Sequence, residues 1–136
     1  MRPIGGAVTL VGVRCLIVDD NARFLTAARS LLERQGLTVA GVASTGPEAL
    51  ALAGQLHPDV TLVDIDLGEE SGFDLARELS RTPAAAPVIL ISTHTEEDFA
   101  ALIETSPVIG FLPKTRLSAG AVRDLVAGNG DEPARC

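Results

Sequence analysis

Two adjacent carboxylates, Asp19-Asp20, follow the apolar run RCLIV. A third, Asp64, ends the run DVTLV, and Asp66 stands two residues on. Ser92 closes PVILI, and Lys114 closes VIGFLP. Ionised carboxylates are costly to bury unless they are paired or bound to metal, so a core strand that ends on one needs a reason. Clustered acids repel and raise each other's pKa unless a cation lies among them. A hard divalent ion such as Mg²⁺ takes oxygen ligands, typically one or two carboxylates together with phosphate oxygens and water. Should these strand ends converge, the charges of Asp19, Asp20 and Asp64 would balance a divalent ion plus the Lys114 ammonium. A neutral site of that kind admits an incoming phosphate. The chemistry implied is phosphoryl transfer by positioning and charge neutralisation.

Convergence depends on the elements that carry these residues. Four short apolar runs stand out: RCLIVDD (14–20), DVTLVDID (59–66), PVILIS (87–92) and PVIGFLPK (107–114). A weaker one, LTVAGVAS (37–44), lies between the first two. The runs are continuous rather than alternating, as expected of strands covered on both faces. Helix-like segments separate them. Asn21 or Asp20 can cap a helix through about Gln35, with Phe24, Ala28, Leu31 and Leu32 inward and Gly36 as the stop. Pro47 can open a second helix at its first position. Ser71 can cap a third, carrying Phe73, Ala76 and Leu79. Thr95 can cap a fourth, with Glu96, Glu97 and Asp98 in its first turn and Phe99, Leu102 and Ile103 at helical spacing. Ser118 can cap a fifth, with Val122, Leu125 and Val126 inward.

Strict alternation of strand and helix predicts an α/β fold: a doubly wound five-stranded parallel sheet, order 2-1-3-4-5, with helices on both faces. Ligands of such sheets bind outside the carboxyl ends of the strands, where the strand order reverses. Here that crevice lies between the first and third strands, where Asp19-Asp20 and Asp64 end their runs.

The rest of the chain narrows the reading. Its 136 residues fit one domain. We divide it into an N-terminal extension (1–12), a folded domain (13–127) and a flexible tail or linker stub (128–136) rich in polar residues. Hydrophobic residues make up 46%, enough for a packed core. A net charge of −7, with four Phe and no Trp or Tyr, argues against direct nucleic-acid binding, which needs a basic face and benefits from stacking platforms. No apolar run is long enough to span a bilayer. Cys15 is expected in the core and Cys136 free, so no disulfide framework is expected and the setting reads as cytoplasmic.

Taken together, Asp19-Asp20, the strand HPDVTLVDIDL with Asp64, Gly72 after it, Ser92 after PVILI, and Lys114 in GFLPK resemble the receiver domain of two-component response regulators, the CheY-like superfamily. The resemblance spans roughly residues 13–127. It implies that Asp64 is the phosphoacceptor. It further implies a Mg²⁺ (or Mn²⁺) site in which Asp64 and Asp20 are ligands, Asp19 acts mainly through water, and Asp66 offers its backbone carbonyl. Lys114 would pair with Asp64 and then with a phosphoryl oxygen. Ser92 would donate its hydroxyl to the phosphoryl group and move on activation, and Phe111 stands at the switch aromatic. The implied partners are a sensor histidine kinase and an output protein, or an output domain missing from this sequence, reached through the face of the fourth helix, fifth strand and fifth helix. The chain would catalyse only its own phosphorylation and dephosphorylation.

Three positions depart from the family pattern. Gly68 replaces a frequent Pro, Thr115 follows Lys114 where a cis-Pro is common, and Phe111 lacks a hydroxyl. The first suggests a looser loop. The second raises the question of peptide geometry, since a cis bond before a non-proline residue costs about 2.5–4 kcal/mol.

Plainer readings compete at several residues. A helix cap needs one carboxylate, not the pair Asp19-Asp20 beside another strand's Asp64. Phe111 is equally a core residue. His94, near the mouth of the crevice, reads as an exposed loop residue, and His57 as the solvent-facing end of the second helix. Among other function classes, DID after an apolar strand resembles the nucleophile motif of haloacid-dehalogenase-like phosphotransfer enzymes, but that motif belongs near the first strand. A flavin-binding module would place phosphate in the loop DDNARF, whose acids repel it without a metal. A fragment of a DNA-binding regulator also fits the resemblance.

Overall fold

The computed structural model describes residues 13–83 and 85–135. The extension at 1–12 and Cys136 lie outside the described residues. Five strands form one parallel sheet: β1 (Arg14–Val18), β2 (Thr38–Ala43), β3 (Val60–Asp64), β4 (Val88–Ser92) and β5 (Gly110–Pro113). Their spatial order is β2-β1-β3-β4-β5, as expected from the alternation. Successive residues of β1 serve opposite faces, which is why its apolar run is unbroken. Leu16 and Val18 pack with one cluster, Cys15 and Ile17 with the other.

The first helix, α1 (Ala22–Arg34), covers the second of these faces with Leu25, Ala28 and Leu32. Leu25 takes the inward place expected of Leu31, which is half-buried. The opposite face is covered by α2 (Gly46–Leu56) and α3 (Gly72–Ser80), through Ala49, Ala53, Phe73 and Leu79. Asn21 caps α1 by accepting from the Phe24 N–H at 3.1 Å, and Ser71 caps α3 from Phe73 at 3.1 Å. In α2, Thr45 accepts from Glu48 N–H at 3.2 Å, so the helix starts at Gly46 and Pro47 sits at its second position. His57 ends α2 exposed, in the left-handed region at φ 48°.

Two segments differ from expectation. The fourth helix is split into a 3₁₀ turn (Glu96–Phe99) and the single-turn α4 (Ala100–Glu104). Phe99 and Ile103 are only half-buried and Leu102 is 51% exposed, so little packing supports a longer helix. The last helix, α5 (Ala119–Arg135), runs through most of the segment expected as a loose tail. Gly costs about 1 kcal/mol in a helix interior, yet each residue added to an established helix also gains a backbone hydrogen bond. α5 nevertheless continues past Gly128, Gly130 and Pro133.

β5 is an edge strand, which explains why Pro113 is tolerated opposite Ser92. No helix among the described residues is long and apolar enough to cross a membrane. Cys15 is a free, fully buried thiol. Burial first, then the Glu33 charge, push its pKa up to about 12, so it is inert packing.

Candidate functional site

The carboxyl ends of β1, β3, β4 and β5 open onto a cleft of about 220 Å³, lined by Asp19, Asp20, Asp64, Asp66, Ser92 and Lys114 among others. Carboxylate oxygens of Asp19, Asp20 and Asp64 all lie within 4.8 Å of one another. The residues expected at the strand ends thus share one cleft. Register does the work: Val18 of β1 pairs with Val63 of β3, so Asp19 and Asp64 follow side by side.

Burial separates the three acids. Asp19 is fully buried and Asp64 is 5% exposed, whereas Asp20 faces solvent. Asp19 Oδ1 accepts from the Asn21 N–H at 2.8 Å. Its Oδ2 lies 2.6 Å from Lys114 Nζ, yet receives no well-directed hydrogen bond from the protein. Lys114 also donates to Asp64 Oδ2 at 3.3 Å, and Asp64 Oδ1 accepts from the Asp66 N–H at 3.2 Å. The shorter ion pair is thus Lys114–Asp19, whereas the resemblance implied Lys114–Asp64.

The fit of a cation can be tested on these atoms. A buried oxygen without a directed donor, two further carboxylates nearby and no Cys or His among the three form an all-oxygen donor set. That set suits a hard ion such as Mg²⁺, Mn²⁺ or Ca²⁺ rather than zinc or copper. The loop after Asp64 shapes the opening. It is not loose: Asp66–Leu67 and Glu70–Ser71 pair as a short antiparallel hairpin. Gly68 stands at φ +71°, a conformation closed to proline. A side chain there would lie 3.2 Å from Asp20 Oδ2. The glycine therefore keeps the hairpin tight and leaves the Asp20 carboxylate free.

Ser92 is buried, and its Oγ accepts from the His94 N–H at 2.9 Å, turned toward its own loop. His94 is exposed, with Nδ1 3.4 Å from Ser92 Oγ and its ring edge-on to Phe99. Phe111 is buried among Val63, Leu90 and the α3 side chains. The Lys114–Thr115 peptide is trans, as are all described peptide bonds. Phe24, expected only as a core residue, also lies under the site: its ring centroid is 4.2 Å from Lys114 Nζ.

Burial and the Asp19 charge raise the Asp64 pKa to about 6, against the Asp66 N–H and Lys114, which lower it. Burial pulls the Lys114 ammonium down, but the close Asp19 carboxylate and the charge of Asp64 outweigh burial and raise its pKa. Because the folded pKa of Asp64 lies above its unfolded value, its contribution to stability is full below about pH 4. That contribution is lost as pH rises through about 6. Without divalent cations, Asp64→Asn should therefore melt higher than wild type at pH 8, by roughly 3–8 °C, and gain much less at pH 5. Thermal unfolding by circular dichroism checks this. A lower melting temperature at pH 8 would show that the carboxylate is structural.

Residues 15–123 match the family model of the response regulator receiver domain. The chain is 30% identical over 123 residues to the response regulator GacA of Pseudomonas aeruginosa, covering 85% of this chain and 56% of that one. A LuxR-family two-component response regulator from Aurantimonas sp. SI85-9A1 has a similar structure, with TM-score 0.76, 25% identity and 85% of each chain covered. A response regulator from Burkholderia pseudomallei, solved with a phosphorylated aspartic acid, a calcium ion and citrate, gives TM-score 0.73 at 25% identity, over 90% of this chain and 71% of that one. The chain spans about half or less of the length of the curated relatives it matches first. A dehalogenase-like arrangement does not hold, because Asp64 ends the third strand and its acid pair ends the first. Strand order, clustered acids and the match over most of the sequence agree: the chain belongs to the response regulator receiver domain family.

Proposed function

We propose that this receiver takes a phosphoryl group from the phosphohistidine of a sensor histidine kinase onto Asp64. The observation that carries this is the position of Asp64, a nearly buried carboxylate 3.3 Å from Lys114 and within 4.8 Å of the acid pair. An Asp64 carboxylate oxygen attacks phosphorus, the new O–P bond forms as the N–P bond breaks, and the electron pair returns to the donor imidazole. Asp19, Asp20, Asp64 and the Asp66 backbone carbonyl would hold Mg²⁺ or Mn²⁺. A bound divalent ion supplies charge neutralisation and a template for the phosphoryl oxygens. Lys114 leaves its carboxylate partners for a phosphoryl oxygen. The Ser92 hydroxyl turns from its loop to donate to another.

Ser92 and Phe111 lie on β4 and β5, so their repacking passes the change to the face built by α4, β5 and α5. There an output protein, or an attached output domain, would read it. The exchange belongs to the cytoplasm, where ATP-fed kinases act, and the chain catalyses no reaction beyond its own phosphorylation and dephosphorylation.

The test uses a small acyl phosphate as donor. With Mg²⁺, intact mass should rise by one phosphoryl group; with a chelator it should not. In the phosphorylated sample, amide exchange should change across residues 92–118. Absence of any adduct at saturating donor and Mg²⁺ would overturn the reading. Exchange changes confined to residues 60–72 would overturn the proposed route of the signal.

A further inference from the structure

Glu70, in the returning arm of the hairpin, reaches a helix that the site does not otherwise involve. Its Oε1 accepts from the Gly46 N–H at 2.8 Å, across 24 residues of sequence. Gly46 is the first residue of α2 and is buried. A side chain on Gly46 would lie 3.0 Å from the Glu70 carboxylate, so the glycine leaves room for it. The carboxylate also faces the positive end of the α2 dipole. The neighbouring amides of this turn have local partners: the Ser44 N–H donates to Glu48 Oε1 at 2.8 Å, and the Glu48 N–H donates to Thr45 at 3.2 Å. Gly46 takes its partner from the hairpin.

The same turn holds the other side of the acidic cleft, because the Asp19 N–H donates to the Ala43 carbonyl at 3.0 Å. Residues 43–46 therefore brace two loops at once. On one side stands the acid pair. On the other, Glu70 pairs with Leu67, and the hairpin tip sets Gly68 against Asp20 Oδ2.

We propose that Glu70 is a positioning residue for the cation site: by capping α2 it holds the Asp66–Ser71 hairpin, and with it the Asp66 carbonyl and Gly68, in register with Asp19 and Asp20. The proposal rests on the reading of the cleft as a divalent-cation site. It is distinct from a through-space effect of the Glu70 charge, because Gln keeps the acceptor oxygen and loses the charge.

Mn²⁺ binding to the full chain, followed by the electron paramagnetic resonance of the free ion, separates these cases for wild type, Glu70→Ala and Glu70→Gln. Glu70→Ala should weaken Mn²⁺ binding several-fold, less than the roughly ten-fold or more that losing a direct hydrogen-bond partner of a ligand costs a metal site. It should also speed hydrogen exchange at the Gly46 amide. Glu70→Gln should restore both to near wild-type values. The proposal is overturned if Glu70→Ala exposes the Gly46 amide and leaves Mn²⁺ affinity unchanged, which makes the tether purely structural. It is equally overturned if Glu70→Gln binds as weakly as Glu70→Ala while Gly46 stays protected, which makes the effect one of charge. Failure of wild type itself to bind Mn²⁺ saturably overturns the cation reading and this inference with it. A far-ultraviolet circular dichroism spectrum and melting curve for each variant confirm that the folded chain is being compared.

Discussion

Asp64→Asn should abolish the phosphoryl adduct altogether: with donor and Mg²⁺, intact mass should stay at that of the unmodified chain. Asn lacks a carboxylate oxygen that can form an acyl phosphate, and its neighbours are poorly placed to substitute. Asp19 is fully buried against Lys114 at 2.6 Å. Asp20 and Asp66 are exposed, and neither ends a central strand opposite the lysine. Lys114→Ala should behave differently. It removes one positive partner of Asp64 and leaves the carboxylates in place, so phosphorylation should be slowed on the order of 100-fold, as when one preorganised charge donor is lost. The adduct that does form should be labile to hydroxylamine and should no longer alter amide exchange at residues 92–118. A full-sized adduct in Asp64→Asn would identify another nucleophile.

How much of this was legible in the sequence depends on the range of each interaction. The sheet and the acid cluster were readable because each rests on local signals. Unbroken apolar runs give buried parallel strands, and the register of those strands brings Asp19, Asp20, Asp64, Ser92 and Lys114 to one edge. The same rules do not say how Lys114 divides itself between two carboxylates, because that choice turns on differences of less than an ångström. Nor could they show Phe24 beneath Lys114, or Glu70 on Gly46. Both contacts join residues far apart in the chain and depend on where α1 and the hairpin sit over the sheet. The fourth helix is shorter than its pattern suggests because helical spacing at Phe99, Leu102 and Ile103 states what could be buried, whereas Leu102 finds no packing partner that covers it. A glycine at position 68 suggests a looser loop. In the fold its left-handed backbone tightens the turn, a conformational requirement that composition alone does not reveal.

Gly72→Ala should be the most damaging small substitution near the site, although Ala is the better helix former. Gly72 is the first residue of α3, and its N–H donates to the Ile65 carbonyl at 2.8 Å. A Cβ there would fall within 2.1 Å of the Asp64 carbonyl oxygen and 2.8 Å of Ile65 Cα. These are backbone atoms at and just beyond the end of the central strand, with no rotamer to change, so α3 or the strand end must move. Overpacking of a rigid site costs about 1–3 kcal/mol and occasionally more. With backbone on both sides, the upper end is expected, a fall in melting temperature of roughly 10 °C or more. Gly54→Ala is the matching control. Gly54 lies within α2, and nothing stands within 4 Å of the Cβ it would gain. Helix propensity alone should then raise stability by about 0.5–1 kcal/mol. Opposite signs for the two alanines, read from urea or thermal unfolding, would show that close approach of α3 to Asp64 governs Gly72. The displaced strand end should also slow phosphorylation of Asp64 in Gly72→Ala and leave Gly54→Ala unaffected. A Gly72→Ala protein that melts at or above the wild-type temperature would mean that α3 does not press on the acceptor strand, and that the glycine answers to something else.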